Sequence, residues 1–530
     1  MACHSLFHMM LSTSLRKKFQ CRSANHFKQS HRLYSALASL RQSLNNVERH
    51  NSEINAFISL NDTEVLEKQA REAEERYLRG KPLSRIDGMT IGIKDNICTS
   101  SLPTTCASNM LRDFTSPYDA TVVKMITEAG GLIMGKTNMD EFGMGSLNKH
   151  TVFGPVINPI GYAKKESKSA GGSSGGSAAS VAMNMCTAAL GSDTGGSIRM
   201  PASYCGIVGF KPTYGRCSRY GLVAYANSLD TIGILARSVE DCSNVYDVIS
   251  PYDEKDPTSM PIDLRTNLSI QECKLLSQFD HGNNLNGLVV GVPQEFYVDS
   301  LSDEVIQVWR RGIKQFKELG ATIKSVSLPH ISLALPAYYI LAFAEASSNL
   351  SRYDGIRYGH RRPNTNDAQL YENTRTNGFG DEVKRRILLG THILTEGTYE
   401  TLFLPAQKVR RTIQKEFNQL FKQANLLESD TKELEEGATG VASQDSKVDI
   451  LLVPSATSPA PLLSNDSANN IQEYLNDVMT LPANLAGIPA ITLPFASSNQ
   501  EYPIGLQLMG QYGYDRFLLK IAKIIMKEKM

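Results

Sequence analysis

No Asp or Glu precedes Glu48. In the same stretch Arg16, Lys17, Lys18, Arg22, Lys28 and Arg32 stand among serines and histidines. An acid-free leader rich in Arg and Ser has the composition of a mitochondrial transit peptide. Residues 1–32 are therefore expected to direct the chain to the mitochondrial matrix. A disordered basic arm is the plainer alternative. The rest of the chain carries no basic stripe, which argues against strong autonomous nucleic-acid binding. No pair among the nine cysteines has Cys-x-x-Cys spacing. That argues against a zinc site and a secreted disulfide framework, and predicts buried reduced thiols. No uninterrupted apolar run reaches the length of a membrane-crossing helix. The most apolar stretch, Thr480 to Phe495, is broken by Pro482, Pro489 and Pro494. No internal repeat is found.

What is present is an ordinary globular composition, 41% hydrophobic and 21% charged over 530 residues. Strand and helix signals alternate, which predicts an α/β fold. Ser35 to Val47 and Glu64 to Leu78 read as helices. Gly88 to Asn96 reads as a buried strand delivering Lys94 to its end. Asp119 is expected to cap a helix from Ala120 to Ala129, followed by a strand at Leu132–Met134. Leu288 to Val292 and Ala321 to Val326 read as strands around a helix from Ser302 to Leu319, and Asp449 to Val453 as a further strand. Residues 251–286 are polar and weakly patterned, as in a surface connection. Residues 428–447 are acidic and Gly/Ser-rich, as in a disordered insertion. Residues 33–530 are otherwise expected to form a single domain.

The stretch from Gly171 to Ser197 stands out. It opens Gly171-Gly-Ser-Ser-Gly-Gly-Ser177 and closes Gly191-Ser-Asp-Thr-Gly-Gly-Ser-Ile-Arg199. Such composition usually marks a linker. Here it encloses the apolar runs Ala178 to Met183 and Cys186 to Leu190, which need burial. A buried Gly/Ser segment brings hydroxyls and bare backbone N–H groups together, the pairing that nucleophilic attack on a carbonyl needs.

Three motifs compete. Gly130-Gly-Leu-Ile-Met-Gly-Lys-Thr137 fits the Walker A pattern, but its middle residues read as a strand and no apolar helix face follows. Gly171 to Gly175 fits the Gly-x-Ser-x-Gly elbow of serine hydrolases. That elbow needs a downstream acid and His, and an oxyanion motif before the Ser. His281, His330, His360 and His392 lack that context. The third arrangement is a Ser-Lys variant of the triad. Lys94 lies among Ile91, Ile93 and Ile97, and burial favours a neutral amine. An ordinary strand-end lysine paired with Asp95 stays open on these grounds. Thr194-Gly-Gly-Ser197 can point several N–H groups at one oxygen, or can be a plain glycine turn.

The motif around Lys94, the two Gly/Ser segments and Cys205-Gly-Ile-Val-Gly-Phe-Lys-Pro-Thr213 together resemble the amidase signature family, from about Ser35 to Lys520. The resemblance implies a large mixed central β-sheet covered by helices on both faces. It implies Ser197 as nucleophile, Ser173 after a cis peptide bond as relay, and Lys94 as base. It also implies an oxyanion hole built from Thr194, Gly195, Gly196 and Ser197. Tyr214 to Leu222, Glu345 to Leu350, Tyr353 to Gly359 and Val383 to Ile387 are similar to one branch, the glutamine-hydrolysing A subunits of tRNA-dependent amidotransferases. In that branch Tyr338, Arg386 and Asp477 would read glutamine, Arg386 through the α-carboxylate and Asp477 through the α-ammonium. The branch implies B and C subunits as partners in a heterotrimer and Glu-tRNA(Gln) as the complex's substrate. It implies ATP and Mg at the B partner, and no metal, cofactor or membrane for this chain. Ser146-Leu-Asn-Lys-His150 departs from the Ser/Thr/Glu-rich loop of bacterial members. The competing classes are a stand-alone amidase for a small or lipid amide, a non-catalytic scaffold, and an ATP-binding enzyme using Gly130 to Thr137.

Overall fold

The computed structural model describes residues 35–279, 284–362, 371–428, 447–463, 470–495 and 502–527. The leader, residues 1–32, and nearly all of the 428–447 insertion lie outside them.

Eleven described strands form one sheet. In chain order they are β1 Phe57–Leu60, β2 Thr90–Lys94, β3 Leu132–Thr137, β4 Ala188–Asp193, β5 Val208–Lys211, β6 Thr231–Ala236, β7 Val289–Pro293, β8 Thr322–Val326, β9 Ile450–Pro454, β10 Ala490–Phe495 and β11 Ile504–Met509. Their order across the sheet is β1-β3-β2-β4-β6-β5-β10-β11-β9-β7-β8. The β3-β2-β4 and β9-β7-β8 sets are parallel, and the strands between them pair antiparallel. The sheet is therefore mixed, as the resemblance implies.

Helices cover both faces because the central strands are apolar on both sides. Along β3, Leu132 and Met134 join one core with the helices Ala36–Ile54, Thr63–Leu78 and Gly175–Ala182. Ile133 between them joins the opposite core. In β4, Ala189 faces the first core, and Ala188 and Leu190 the second. This two-sided burial explains why these strands read as near-continuous apolar runs.

Several local expectations are corrected. Asp119 does not cap the helix Thr121–Glu128; its carboxylate accepts from the backbone and hydroxyl of Ser100. The expected surface connection 251–286 contains the helix Ile262–Leu276. Its buried Arg265 is satisfied by the carbonyls of Met260, Gly215 and Arg216, so a polar residue faces inward and blurs the helical pattern. The first helix runs to Ile54, beyond Val47, and ends on Asn55 in the left-handed region.

No disulfide joins any of the seven described cysteines; six are buried and Cys273 is exposed. Among the described residues one helical stretch, Pro329–Leu350, is apolar and long enough to cross a membrane. It packs instead as a core helix against Asp381–Ile393 and Leu404–Leu420.

Candidate active site

The parallel strands β2 and β4 lie side by side, Ile91 beside Ala188 and Ile93 beside Leu190. Their carboxyl ends bring Lys94 and Ser192 together, the usual place for a site in such a sheet. Lys94 Nζ lies 2.8 Å from Ser173 Oγ, 2.9 Å from Ser192 Oγ and 3.3 Å from the Ser192 carbonyl oxygen. The side chain is fully buried. Burial lowers its pKa to about 7, against the opposing pull of Asp140 and Asp193.

The alternative pairing of Lys94 with Asp95 does not occur. Asp95 faces Lys136, 3.4 Å away. Lys136 Nζ also donates to the Ile97 carbonyl and Thr104 Oγ1, each at 2.8 Å. That settles the Walker-like motif too: its lysine is buried on a strand and fully engaged.

The peptide bond Gly172–Ser173 is cis. Gly172 packs so closely on Asp140 that a Cβ there would lie 2.0 Å from Asp140 Oδ2. Asp140 in turn accepts from the N–H groups of Asn148 and His150 at 2.9 and 3.0 Å. One carboxylate thus ties the bend before Ser173 to the loop 145–150. The departing residues of that loop reach Glu473: Ser146 Oγ donates to its carbonyl at 2.9 Å, and Lys149 and His150 each sit 3.2 Å from its carboxylate.

β4 ends at Asp193 and the chain turns through Thr194–Ile198 into the helix Arg199–Cys205. Ser174 N donates to the Ser197 carbonyl at 3.2 Å, which holds the two serine segments together. Exposure is graded: Lys94 0%, Ser173 1% and Ser197 8%. Ser197 is thus the one of the three best placed to meet an incoming molecule.

The turn itself corrects one expectation. The N–H of Gly196, expected to face an oxyanion, donates to Asp193 Oδ1 at 2.8 Å. Asp193 is buried against Arg199, whose Nε and Nη2 each lie 3.0 Å from its oxygens. Burial opposes the Asp193 charge, but Arg199 outweighs it and holds the carboxyl at about 2. The N–H groups of Gly195 and Ser197 have no hydrogen bond among the described residues. Thr194 Oγ1 donates to Asp230 at 2.7 Å.

Tyr338, Arg386 and Asp477 come from separate elements and converge beside this turn. A Cβ on Gly195 would lie 2.5 Å from the Tyr338 hydroxyl, so that hydroxyl covers the turn. Arg386 is buried on the helix Asp381–Ile393. Its Nε donates to Glu382 at 2.7 Å and its Nη1 to the Tyr225 hydroxyl at 2.8 Å. The rings of Tyr225, Tyr339, Phe343 and Tyr474 lie 5.5–5.9 Å from its guanidinium carbon. Nη2 has no hydrogen bond among the described residues and remains for an anion. Burial raises the Asp477 carboxyl to about 7, although Tyr339 and Arg386 pull it down. The Tyr339 hydroxyl donates to Asp477 at 2.7 Å.

Sequence reasoning missed Ser192, Tyr339, Tyr225 and Glu382. Ser192 was visible within the same Gly/Ser stretch, and Tyr339 beside Tyr338. Nothing local marked Tyr225 or Glu382. No cluster of three or more His, Cys, Asp or Glu side chains suited to a metal occurs among the described residues.

The amidase family model matches residues 38–519. The chain belongs to the amidase family. This amidase is 45% identical over 486 residues to the A subunit of the mitochondrial glutamyl-tRNA(Gln) amidotransferase of Coccidioides posadasii, covering 89% of this chain and 95% of that one. It is 42% identical to the A subunit of the glutamyl-tRNA(Gln) amidotransferase of Bartonella tribocorum, covering 91% of each. The crystal structure of the corresponding protein from Thermotoga maritima superposes with a TM-score of 0.69 at 35% identity, over 93% of this chain and 91% of that one. A peptide amidase in complex with chymostatin gives 0.71 at 25% identity, over 93% and 94%. The amidase fold of this chain is thus shared by enzymes with different amide substrates.

Proposed function

We propose that this amidase is the glutamine-hydrolysing component of a mitochondrial glutamyl-tRNA(Gln) amidotransferase, releasing the ammonia that converts Glu-tRNA(Gln) to Gln-tRNA(Gln). The observation that carries the reading is the buried Lys94–Ser173 hydrogen bond of 2.8 Å, together with Arg386 and Asp477 meeting at Tyr339. A hydrophobic amide has no use for that pair of opposite charges. An amino acid matches both.

In this reading Ser197 Oγ attacks the side-chain amide carbon of glutamine. Its proton passes to Ser173 Oγ as the proton of Ser173 passes to the neutral amine of Lys94. The N–H groups of Gly195 and Ser197 hold the oxyanion. When the C–N bond breaks, Lys94 returns a proton through Ser173 and ammonia leaves. Water then attacks the acyl-Ser197 ester by the same route, giving glutamate. Ser192 fixes the amine: its carbonyl accepts one N–H and its hydroxyl a second, leaving the lone pair for Ser173. Arg386 receives the α-carboxylate and ionised Asp477 the α-ammonium, with Tyr338 walling the turn.

The partners are B and C subunits in a heterotrimer located in the matrix. ATP and Mg act at the B partner, where glutamyl-tRNA is activated, and this chain needs no metal or cofactor. Residues 1–32 act as the transit segment of a single catalytic domain.

The test is glutamine hydrolysis by the co-expressed complex with and without Glu-tRNA(Gln) and ATP. Stimulation by both is expected. Its absence, together with cleavage of simple aliphatic or aryl amides by the chain alone, would replace this reading with that of a stand-alone amidase.

A further inference from the structure

The Gly195–Gly196 peptide is gripped at both polar edges. Its N–H is held by Asp193, as described above. Its carbonyl oxygen accepts from Thr480 Oγ1 at 2.6 Å. Thr480 is fully buried, and it is distant in sequence from the turn it holds. Gly196 has φ +137°, and a Cβ there would lie 2.1 Å from Thr480 Oγ1. The contact is therefore a close approach that only glycine permits.

Thr480 is itself anchored from two sides. Its carbonyl accepts from Arg199 Nη1 at 2.8 Å, the same guanidinium that holds Asp193. Its N–H donates to the Asp477 carbonyl at 2.9 Å. One residue thus links the backbone of Asp477, whose carboxylate is proposed to read the α-ammonium, to the turn proposed to hold the oxyanion. The two flanking N–H groups, of Gly195 and Ser197, are covalently continuous with the gripped peptide and take their direction from it.

We propose that Thr480 is a positioning residue for the hydrolytic step: its hydroxyl orients the 194–197 turn from the substrate-reading side of the pocket. The proposal rests on the reading of Ser197 and its turn given above. It requires that the effect appear on the tetrahedral state and not on ground-state binding.

The experiment compares Thr480→Val with Thr480→Ser in the co-expressed complex. Valine keeps the shape and removes the donor; serine keeps the donor. Thr480→Val is expected to lower kcat for glutamine about 10–100-fold with KM within about threefold, less than the loss of an oxyanion donor itself. Thr480→Ser is expected to recover most of that activity. A second readout uses the boronic acid analogue of glutamine, with boron in place of the side-chain amide carbon, which becomes tetrahedral on a serine. Its affinity is expected to fall with kcat in Thr480→Val, while the affinity for glutamate stays put. Unchanged kcat, a change confined to KM, or equal loss of boronate and glutamate affinity would each overturn the proposal. A wild-type complex that does not hydrolyse glutamine would instead overturn the functional reading. The same variants would then be compared on the amide it does cleave, where an unchanged kcat again removes the role of Thr480.

Discussion

Lys94 Nζ and Ser173 Oγ are 2.8 Å apart, 79 residues from each other along the chain, and neither side chain is open to solvent. A proton moving between them is not exchanged with bulk water on the way. Lys94→Arg keeps the length and charge but cannot supply a neutral base, because guanidinium does not deprotonate in proteins. We expect kcat for glutamine to fall by about 10²–10⁴-fold with little change in KM. Steady-state kinetics on the purified complex check this. A loss confined to KM would remove Lys94 from the proton path.

The pH profile follows from two groups poised near neutrality, Lys94 and Asp477, each at about 7. In its proposed role as base Lys94 acts only when neutral, so kcat should rise with pH and level off above about 7. Free Asp477 must be ionised to accept the α-ammonium, which it is above about 7. Both conditions apply to kcat/KM, whose logarithm should rise with a limiting slope approaching two on the acid side. Asp477→Asn should reduce that slope to one and raise KM. A profile flat from pH 5 to 9, as about the range accessible to such assays, would contradict both assignments.

The two serines should differ in what survives their loss. Ser197→Ala removes the proposed nucleophile and should abolish glutamine hydrolysis while leaving assembly and ammonia-driven amidation intact. Ser173→Ala removes the proposed relay and should leave a small residual activity, because Ser197 and its turn remain. Quenched-reaction analysis for an acyl-enzyme separates the cases: none forms in Ser197→Ala. Full activity in Ser197→Ala would move the nucleophile elsewhere, Ser173 first.

Lys136 gives a prediction about stability. It forms a wholly buried pair with Asp95, and Lys136→Met leaves that carboxylate without its cation. A cost of about 3–5 kcal/mol is expected, read as a lower denaturation midpoint. Asp95→Asn in the same chain should recover part of it. No ATP binding is expected from the chain alone, since the Walker-like lysine is engaged inside the sheet.

Much of the chemistry was legible because it is local in sequence. The Gly/Ser composition of 171–197, the isoleucines around Lys94 and the spacing of the two serines each carry a physical meaning that does not depend on the rest of the chain. What stayed hidden is tertiary. Gly196 looks like a free donor until Asp193 folds back on it. Asp119 looks like a cap until Ser100 reaches it. Tyr225 and Glu382 matter only because they meet at Arg386, and no pattern along the chain announces that meeting. The helix Ile262–Leu276 escaped because its inward face carries Arg265 and Glu272 in place of a clean apolar stripe.

The residues proposed for bond cleavage lie between 94 and 197, and those proposed for selection between 338 and 477. An engineer seeking a new amide specificity could exchange the second block and leave the first alone. Thr480 sets where such an exchange must stop. A chimera joined between Asp477 and Thr480 would mate a foreign carboxylate to a native clamp. One joined beyond Thr480 would carry the clamp along with the residue whose backbone carbonyl it is bonded to.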